Sequence, residues 1–259
     1  MSLSAIVDLD AHPITDAGFA RRCQQTLDRD GVLVLPDFLT PEALAAVHAE
    51  ARAGRKDAYF CAQNHSVYLT PPDPAYPEDH PANRQVVSSK GCICDDQVAA
   101  DSALRQLYDA EEFRAFVKAV TGQAELHSYA DPLSSINIHY AEQGQELGWH
   151  FDNSSFVITL LIQKPGAGGR FEYLKDLRDA GAGEMNFDGV GALLDGKVAP
   201  EVLTMEPGTL VLFRGRNSVH RVSPNESDVT RMLAVLAYNA EPGVALSESA
   251  RQTFYGRLG

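Results

Sequence analysis

The sequence predicts an α+β protein with a mainly β core, a sandwich or barrel buttressed on one face by N-terminal helices. Three observations carry this. Residues 16–54 and 99–122 place apolar residues at helical spacing between capping signals. From about residue 126 onward, short β-rich runs are punctuated by Pro and Gly. No internal repeat or linker divides the 259 residues, so one domain is expected over 1–259. Its helical half runs over about 1–125 and its β core over about 126–245.

In the first helix, Phe19, Cys23 and Leu27 recur on one face, Asp16 stands at the N-cap position and Gly31 ends the run. "VLVLP" follows as a short apolar strand. "TPEALAAVHAEARAG" predicts a second helix, with Thr40 as N-cap, Pro41 at its first position, Glu42 in its first turn and Gly54 at its close. Residues 61–98 read as irregular. They include Pro71, Pro72, Pro74, Pro77 and Pro81, which no helix interior or central strand accommodates. This stretch is expected to be either a surface loop or a lid over a site. Residues 99–122 predict a helix with Leu104, Leu107, Tyr108, Phe113, Phe116 and Val120 on its apolar stripe, ended by Gly122. The β half is read from "SSINIHYAE", "FVITLLIQ", "RFEYL", "EVLTME", "GTLVLF", "SVHRVSP" and "RMLAVLAYN".

Composition excludes several classes. A hydrophobic share of 44% with 22% charged residues describes a globular chain. A net charge of −13 repels phosphate backbones, so nucleic acid is not expected as a partner. No stretch approaches the roughly 18 apolar residues of a membrane span, and "MSLSAIVDLDAHPITD" lacks the basic start and apolar run of a signal peptide. A cytoplasmic protein without membrane contact is expected. Cys23, Cys61, Cys92 and Cys94 are too few for a disulfide scaffold, and the Cys92-x-Cys94 pair has no companion motif for zinc. Reduced thiols are expected.

The chemistry centres on "GWHFDNSSF". On a strand, residues i and i+2 share a face, so His150 and Asp152 project together while Trp149 and Phe151 face away. Alone, the pair is a common polar strand end. His220, in "SVHRVSP", supplies a third donor. Two histidines and one carboxylate form the facial triad of non-haem Fe(II) oxygenases, which leaves coordination positions open. A structural zinc site would instead be closed by four ligands, usually thiolate-rich. Arg231 lies eleven residues after His220 on a strand face shared with Leu233 and Val235. A buried arginine needs a partner, and its fork suits a carboxylate. That partner is either a structural acid or the far carboxylate of 2-oxoglutarate.

Taken together, Tyr140, Gly144, His150-Phe151-Asp152, "GAGGRFEYL", "GTLVLF…SVHRVSP" and Arg231 resemble the Fe(II)/2-oxoglutarate-dependent dioxygenases of the double-stranded β-helix, or jelly-roll, fold, over about 134–240. The resemblance implies that His150, Asp152 and His220 bind iron. It also implies that Arg231 binds 2-oxoglutarate, that Tyr140 contacts it, and that dioxygen is consumed with release of succinate and carbon dioxide. More narrowly, "WHFDNSSFVITLLIQKPGAGGRFEYL" with the ending "RQTFYGRLG" is similar to the group of free-amino-acid halogenases and their hydroxylase relatives, whose best-known members act on free lysine. Halogenases of that group carry a small residue in place of the metal-binding carboxylate. The retained Asp152 implies hydroxylation of an unactivated C–H bond. Desaturation, cyclisation or epoxidation on the same iron are alternatives, as are a cupin-like binding protein without turnover and a regulatory protein with a relic triad.

A free amino acid needs a cation for its carboxylate and anions for its amines. Arg84 is the candidate cation or a surface arginine. Asp131, Glu146 and Asn153 are candidates for the amine end. His139 lies in the pocket or packs in the core, and Trp149 and Tyr255 wall the pocket or pack in the core. The expected partner is a small-molecule substrate; a homodimer is compatible with the sequence.

Overall fold

The structure, a computed structural model, describes residues 2–259. Helix α1 (Ala17–Asp30) starts where the Asp16 carboxylate accepts the Phe19 N–H at 2.6 Å and stops at Gly31, which has a φ of 73°. Strand β1 (Val32–Leu35) follows. Helix α2 (Pro41–Gly54) begins at Thr40, whose hydroxyl accepts the Ala43 N–H.

The next segment departs from the sequence reading. Residues 61–98 are not irregular throughout. Strands β2 (Tyr59–Ser66) and β3 (Gln85–Ile93) form an antiparallel hairpin paired from Tyr59↔Cys92 to Ser66↔Gln85. Only the proline-rich stretch between them is a loop. The strands lack an alternating apolar pattern because Gln63, His65, Ser88 and Lys90 face a cavity and Val87 faces solvent. The loop is ordered by the Asn83 side chain, which accepts the Asp73 N–H and donates to the carbonyls of Asp73 and Tyr76.

The expected helix over 99–122 is two helices, α3 (Ala103–Asp109) and α4 (Glu111–Thr121), broken at the extended Ala110. The break lets Tyr108 stack on Tyr238 at 4.3 Å and donate its hydroxyl to the Ala237 carbonyl, while the Tyr238 hydroxyl donates to the Tyr108 carbonyl. The β half then supplies β4 (Ile136–Ala141), β5 (Leu147–His150), β6 (Val157–Gln163) and β7 (Phe171–Leu174). Helix α5 (Phe187–Leu194), unforeseen because two glycines dilute its helical pattern, precedes β8 (Glu201–Leu203), β9 (Leu210–Phe213), β10 (Val219–Val222) and β11 (Arg231–Leu236). Helix α6 (Glu248–Tyr255) closes the description.

The strands join in one antiparallel sheet of order β1-β9-β6-β11-β4-β3-β5-β10-β7-β8, with β2 added on β3. The sheet curls into a half-barrel, consistent with a jelly-roll core. Phe171 of β7 and Phe213 of β9 meet across its interior at 5.1 Å. Alternation along the strands sorts the side chains. On β11, Met232, Ala234 and Leu236 enter the core shared with the helices, while Arg231, Leu233 and Val235 face the interior cavity. On β4, Ile136, Ile138 and Tyr140 face the helices and His139 faces the cavity. The helix-side core is apolar, with Leu27, Leu104, Phe113, Val117 and Leu160 fully buried, each worth about 1.5–3 kcal/mol. Among the described residues no helix is long and apolar enough to cross a membrane.

Candidate active site

The half-barrel brings His150, Asp152 and His220 together. His220 on β10 pairs directly with His150 on β5, and their rings lie 4.1 Å apart. The chain leaves β5 after His150, and the Asp152 N–H donates to the Gly215 carbonyl at 3.0 Å, which holds the carboxylate against both rings. Nε2 of His150 and Nε2 of His220 lie 3.7 and 3.6 Å from the same oxygen, Asp152 Oδ1. One donor atom from each residue lies within 4.8 Å of the others.

The backbone sets the tautomers. His150 Nδ1 donates to the Gly148 carbonyl at 2.8 Å and His220 Nδ1 to the Ser218 carbonyl at 3.1 Å. Carbonyls only accept, so each Nδ1 carries the proton and each Nε2 lone pair is free for a metal. Burial and the neighbouring His220 hold His150 well below the usual histidine pKa, in its neutral, ligating form. Asp152 Oδ2 is buried with no hydrogen-bond partner among the described residues. An unpaired buried carboxylate oxygen is costly, and a divalent cation removes that cost. The donor set therefore fits a metal.

Gly215 makes the approach possible. A Cβ there would lie 1.8 Å from Asp152 Oδ2 and 2.9 Å from His220 Cε1. Gly215→Ala is expected to displace the carboxylate and lower metal content more than about tenfold while the fold persists. Metal analysis alongside circular dichroism checks this.

A cavity of about 270 Å³ opens over the triad. Arg231 lines it, buried, with no acidic partner among the described residues. Burial pushes its pKa down to about 10, so it remains a cation at neutral pH. The "GAGG" turn wraps it: Gly169 has a φ of 57°, and a Cβ there would lie 2.7 Å from Pro165 Cγ and 3.2 Å from Arg231 Cδ. An adjoining cavity of about 280 Å³ shares Lys90, His139, Asp152, Val157, Val235 and Phe254 with the first.

Of the residues singled out in the sequence, His150, Asp152, His220, Arg231 and His139 line the main cavity. Tyr255 lines the adjoining one and donates its hydroxyl to Asn137 Oδ1 at 3.0 Å. The others lie elsewhere. Tyr140, expected at 2-oxoglutarate, is fully buried on the helix side and donates its hydroxyl to the Ala51 carbonyl at 2.8 Å, because strand alternation turns it away from His139. Arg84 is committed to Asp195 at 2.6 Å and to the Leu194 carbonyl, so it pins the proline-rich loop to α5. Arg84→Ala is accordingly expected to leave kcat/KM within about twofold of the wild type in steady-state kinetics.

Trp149 packs in a small apolar cluster behind the triad, with the Arg221 guanidinium 4.8 Å over its ring. Asn153 is exposed and offers only its carbonyl, to Arg216. Asp131 caps a turn, accepting from Leu133, Ser134 and Leu246. Glu146 does not line the cavity.

Sequence reasoning passed over His65, Ser88 and Lys90, which reach the cavity from the hairpin. His65 Nε2 lies 2.6 Å from Ser88 Oγ, and its ring stands edge-on to His150 at 6.3 Å. The signal available was the i, i+2 spacing of Gln63 with His65 and of Ser88 with Lys90, legible only once those segments are known to be strands.

Among solved structures, the chain is similar to a 2OG-Fe(II) oxygenase family oxidoreductase from Burkholderia pseudomallei at 14% identity, covering 87% of this chain and 92% of that one with a TM-score of 0.54. It is similar to a prolyl-4-hydroxylase from Pseudomonas putida at 12% identity, with coverages of 85% and 98% and a TM-score of 0.53. It is also similar to the epimerase SnoN in complex with Fe3+, α-ketoglutarate and a nogalamycin, at 15% identity, with coverages of 86% and 84% and a TM-score of 0.55. At these identities the likeness is one of fold. No curated protein matches the chain. Fe(II), with 2-oxoglutarate and dioxygen as co-substrates, fits this donor set and the unpaired arginine beside it. The Halogenase D family model matches residues 77–254, from the proline-rich loop through the triad and Arg231 to α6, and over that span, well more than half its length, the chain belongs to the Halogenase D family.

Proposed function

We propose that the protein is an Fe(II)- and 2-oxoglutarate-dependent oxygenase that hydroxylates an unactivated C–H bond of a free amino acid or a similar small molecule, lysine among the candidates. The observation that carries the reading is the His150–Asp152–His220 donor set in one cavity with a buried cation that has no acid partner among the described residues. In this reading the curled sheet is a double-stranded β-helix, residues 1–259 act as one oxygenase domain, and the three side chains hold the iron. Arg231 holds the far carboxylate of 2-oxoglutarate in its guanidinium fork. Bound iron with 2-oxoglutarate and dioxygen supplies the oxidising power for C–H cleavage, coupled to succinate and carbon dioxide release.

The chain's own residues prepare that chemistry. The Gly148 and Ser218 carbonyls fix the ligand tautomers. Val157, Val211, Phe213 and Phe171 give the cavity dry walls that exclude water from the reacting bond. Asp152 supports hydroxylation over halogenation. The halogenases that the sequence resembles have a small residue there, whereas this carboxylate faces both histidines and would take the place a halide needs on a bound metal.

The test is succinate release under air with Fe(II), 2-oxoglutarate and a panel of free amino acids, with products read by mass spectrometry. A hydroxylated product equimolar with succinate, unchanged by added chloride, is expected. A chlorinated product would overturn the hydroxylase assignment. A desaturated or cyclised product would move the outcome to those reactions. Absence of succinate from fully metal-loaded protein would overturn the oxygenase reading.

A further inference from the structure

Lys90 is neither a member of the His150–Asp152–His220 donor set nor the proposed co-substrate cation. It projects from β3 into the junction of the two cavities, opposite Cys61 of β2. Its ammonium lies 2.9 Å from His139 Nε2 and 5.8 Å from the centre of the Phe254 ring. No carboxylate pairs with it among the described residues, and the Cys61 thiol is pushed up by burial and stays neutral. Burial lowers the Lys90 pKa, as expected for a cation that has lost water and gained no anion. His139 is held well below the usual histidine range by burial and by the nearby Lys90 and Arg231, so its neutral ring accepts from the ammonium.

Among the described residues Asp152 is the only carboxylate lining either cavity, against two basic side chains, Lys90 and Arg231. Doubly charged iron and dianionic 2-oxoglutarate cancel each other. With Lys90 protonated the loaded site keeps one positive charge, and Arg231 is occupied by the co-substrate. The uncompensated charge sits on Lys90, at the end shared with the adjoining cavity, where Val235 replaces Arg231 along β11.

The geometry points to Lys90, backed by His139, as the anchor for the carboxylate of the oxidised substrate, on the Phe254 side of the metal centre. This rests on the oxygenase reading and narrows it to substrates that are carboxylic acids. It gives the substrate carboxylate the cation that Arg84, tied to Asp195, does not provide. A carboxylate there replaces the water the ammonium has lost, and neutral His139 keeps the ammonium aimed at it. The adjoining cavity, lined also by Asn137, Ser134 and Tyr255, takes the remainder of the molecule.

The test is anaerobic calorimetry on protein loaded with Fe(II) and 2-oxoglutarate, titrated with free L-amino acids and with the α-amide of each. Wild-type protein is expected to bind at least one acid tenfold to a hundredfold more tightly than its amide, on the order of one charge-assisted hydrogen bond. Lys90→Met is expected to bring that ratio near one, with amide affinity unchanged and 2-oxoglutarate affinity within about twofold of wild type. Lys90→Arg is expected to restore part of the preference. A thermal melt of each variant separates these effects from misfolding. Retention of the acid preference in Lys90→Met would overturn the assignment. So would weakened 2-oxoglutarate binding in its place, which would make Lys90 a co-substrate residue. If 2-oxoglutarate binds the wild type but no acid binds better than its amide, the anchor is wrong and the oxygenase reading stands. If 2-oxoglutarate itself does not bind, both fall.

Discussion

Arg231→Ala is expected to abolish succinate formation at ordinary 2-oxoglutarate concentrations while leaving iron binding intact. The guanidinium is buried, has no acidic partner among the described residues and lines the same cavity as the triad. Truncating one member of a buried charge pair costs about 2–5 kcal/mol, a rise of roughly 30-fold to several thousand-fold in the 2-oxoglutarate Kd. Calorimetry with Fe(II)-loaded protein measures that rise. Arg231→Lys keeps the charge but loses the fork, so an intermediate loss is expected.

The stability of the unliganded protein should move the other way. Burial lowers the Arg231 pKa in the fold, so the charged form is disfavoured there. The penalty is present in full at neutral pH and is relieved only as pH rises above about 10. Arg231→Met removes it and keeps most of the side-chain volume. The metal-free variant should therefore melt no lower than wild type, while the stabilisation that 2-oxoglutarate gives the wild type should vanish. A large fall in the melting temperature of that variant would mean that Arg231 serves the fold, as in an ordinary structural ion pair.

The β half was legible in the sequence because strand alternation there separates two chemically distinct faces. On β11, Arg231 interrupts an otherwise apolar strand at the parity of Leu233 and Val235, and all three face the cavity. The same parity excludes Tyr140 from the cavity: it is adjacent to His139, so only one of the two can face inward, and the pleat overrides the family pattern there. The β2–β3 hairpin was hidden for the opposite reason. Its inward face is polar because it lines a site, so the hydrophobic alternation that announces a strand is missing. Lys90 disappeared with it. Arg84 looked like a binding cation only because its partner, Asp195, is 111 residues away on a helix end the sequence did not announce. Long-range pairing of charges leaves no periodic trace.

His220→Ala is the other substitution with a large expected effect. His220 contributes one of three donor atoms, and its loss leaves His150 and Asp152 without the partner that completes the facial set. Iron content after anaerobic loading and desalting should fall by more than about tenfold, with no detectable succinate. The ring also packs against Phe213 at 4.9 Å and Phe171 at 5.5 Å, so truncation opens a void and the variant should lose about 2–4 kcal/mol of stability even without metal. His220→Gln separates the two losses. It fills most of the space, so its metal-free melting temperature should lie closer to wild type. It cannot present a neutral imidazole Nε2 held by the Ser218 carbonyl, so its iron content should be nearly as low as that of the alanine variant. If both variants melt as wild type does without metal yet keep a full complement of iron, the metal is held elsewhere. The unpartnered Asp152 Oδ2 would then have to be explained without a cation at this centre.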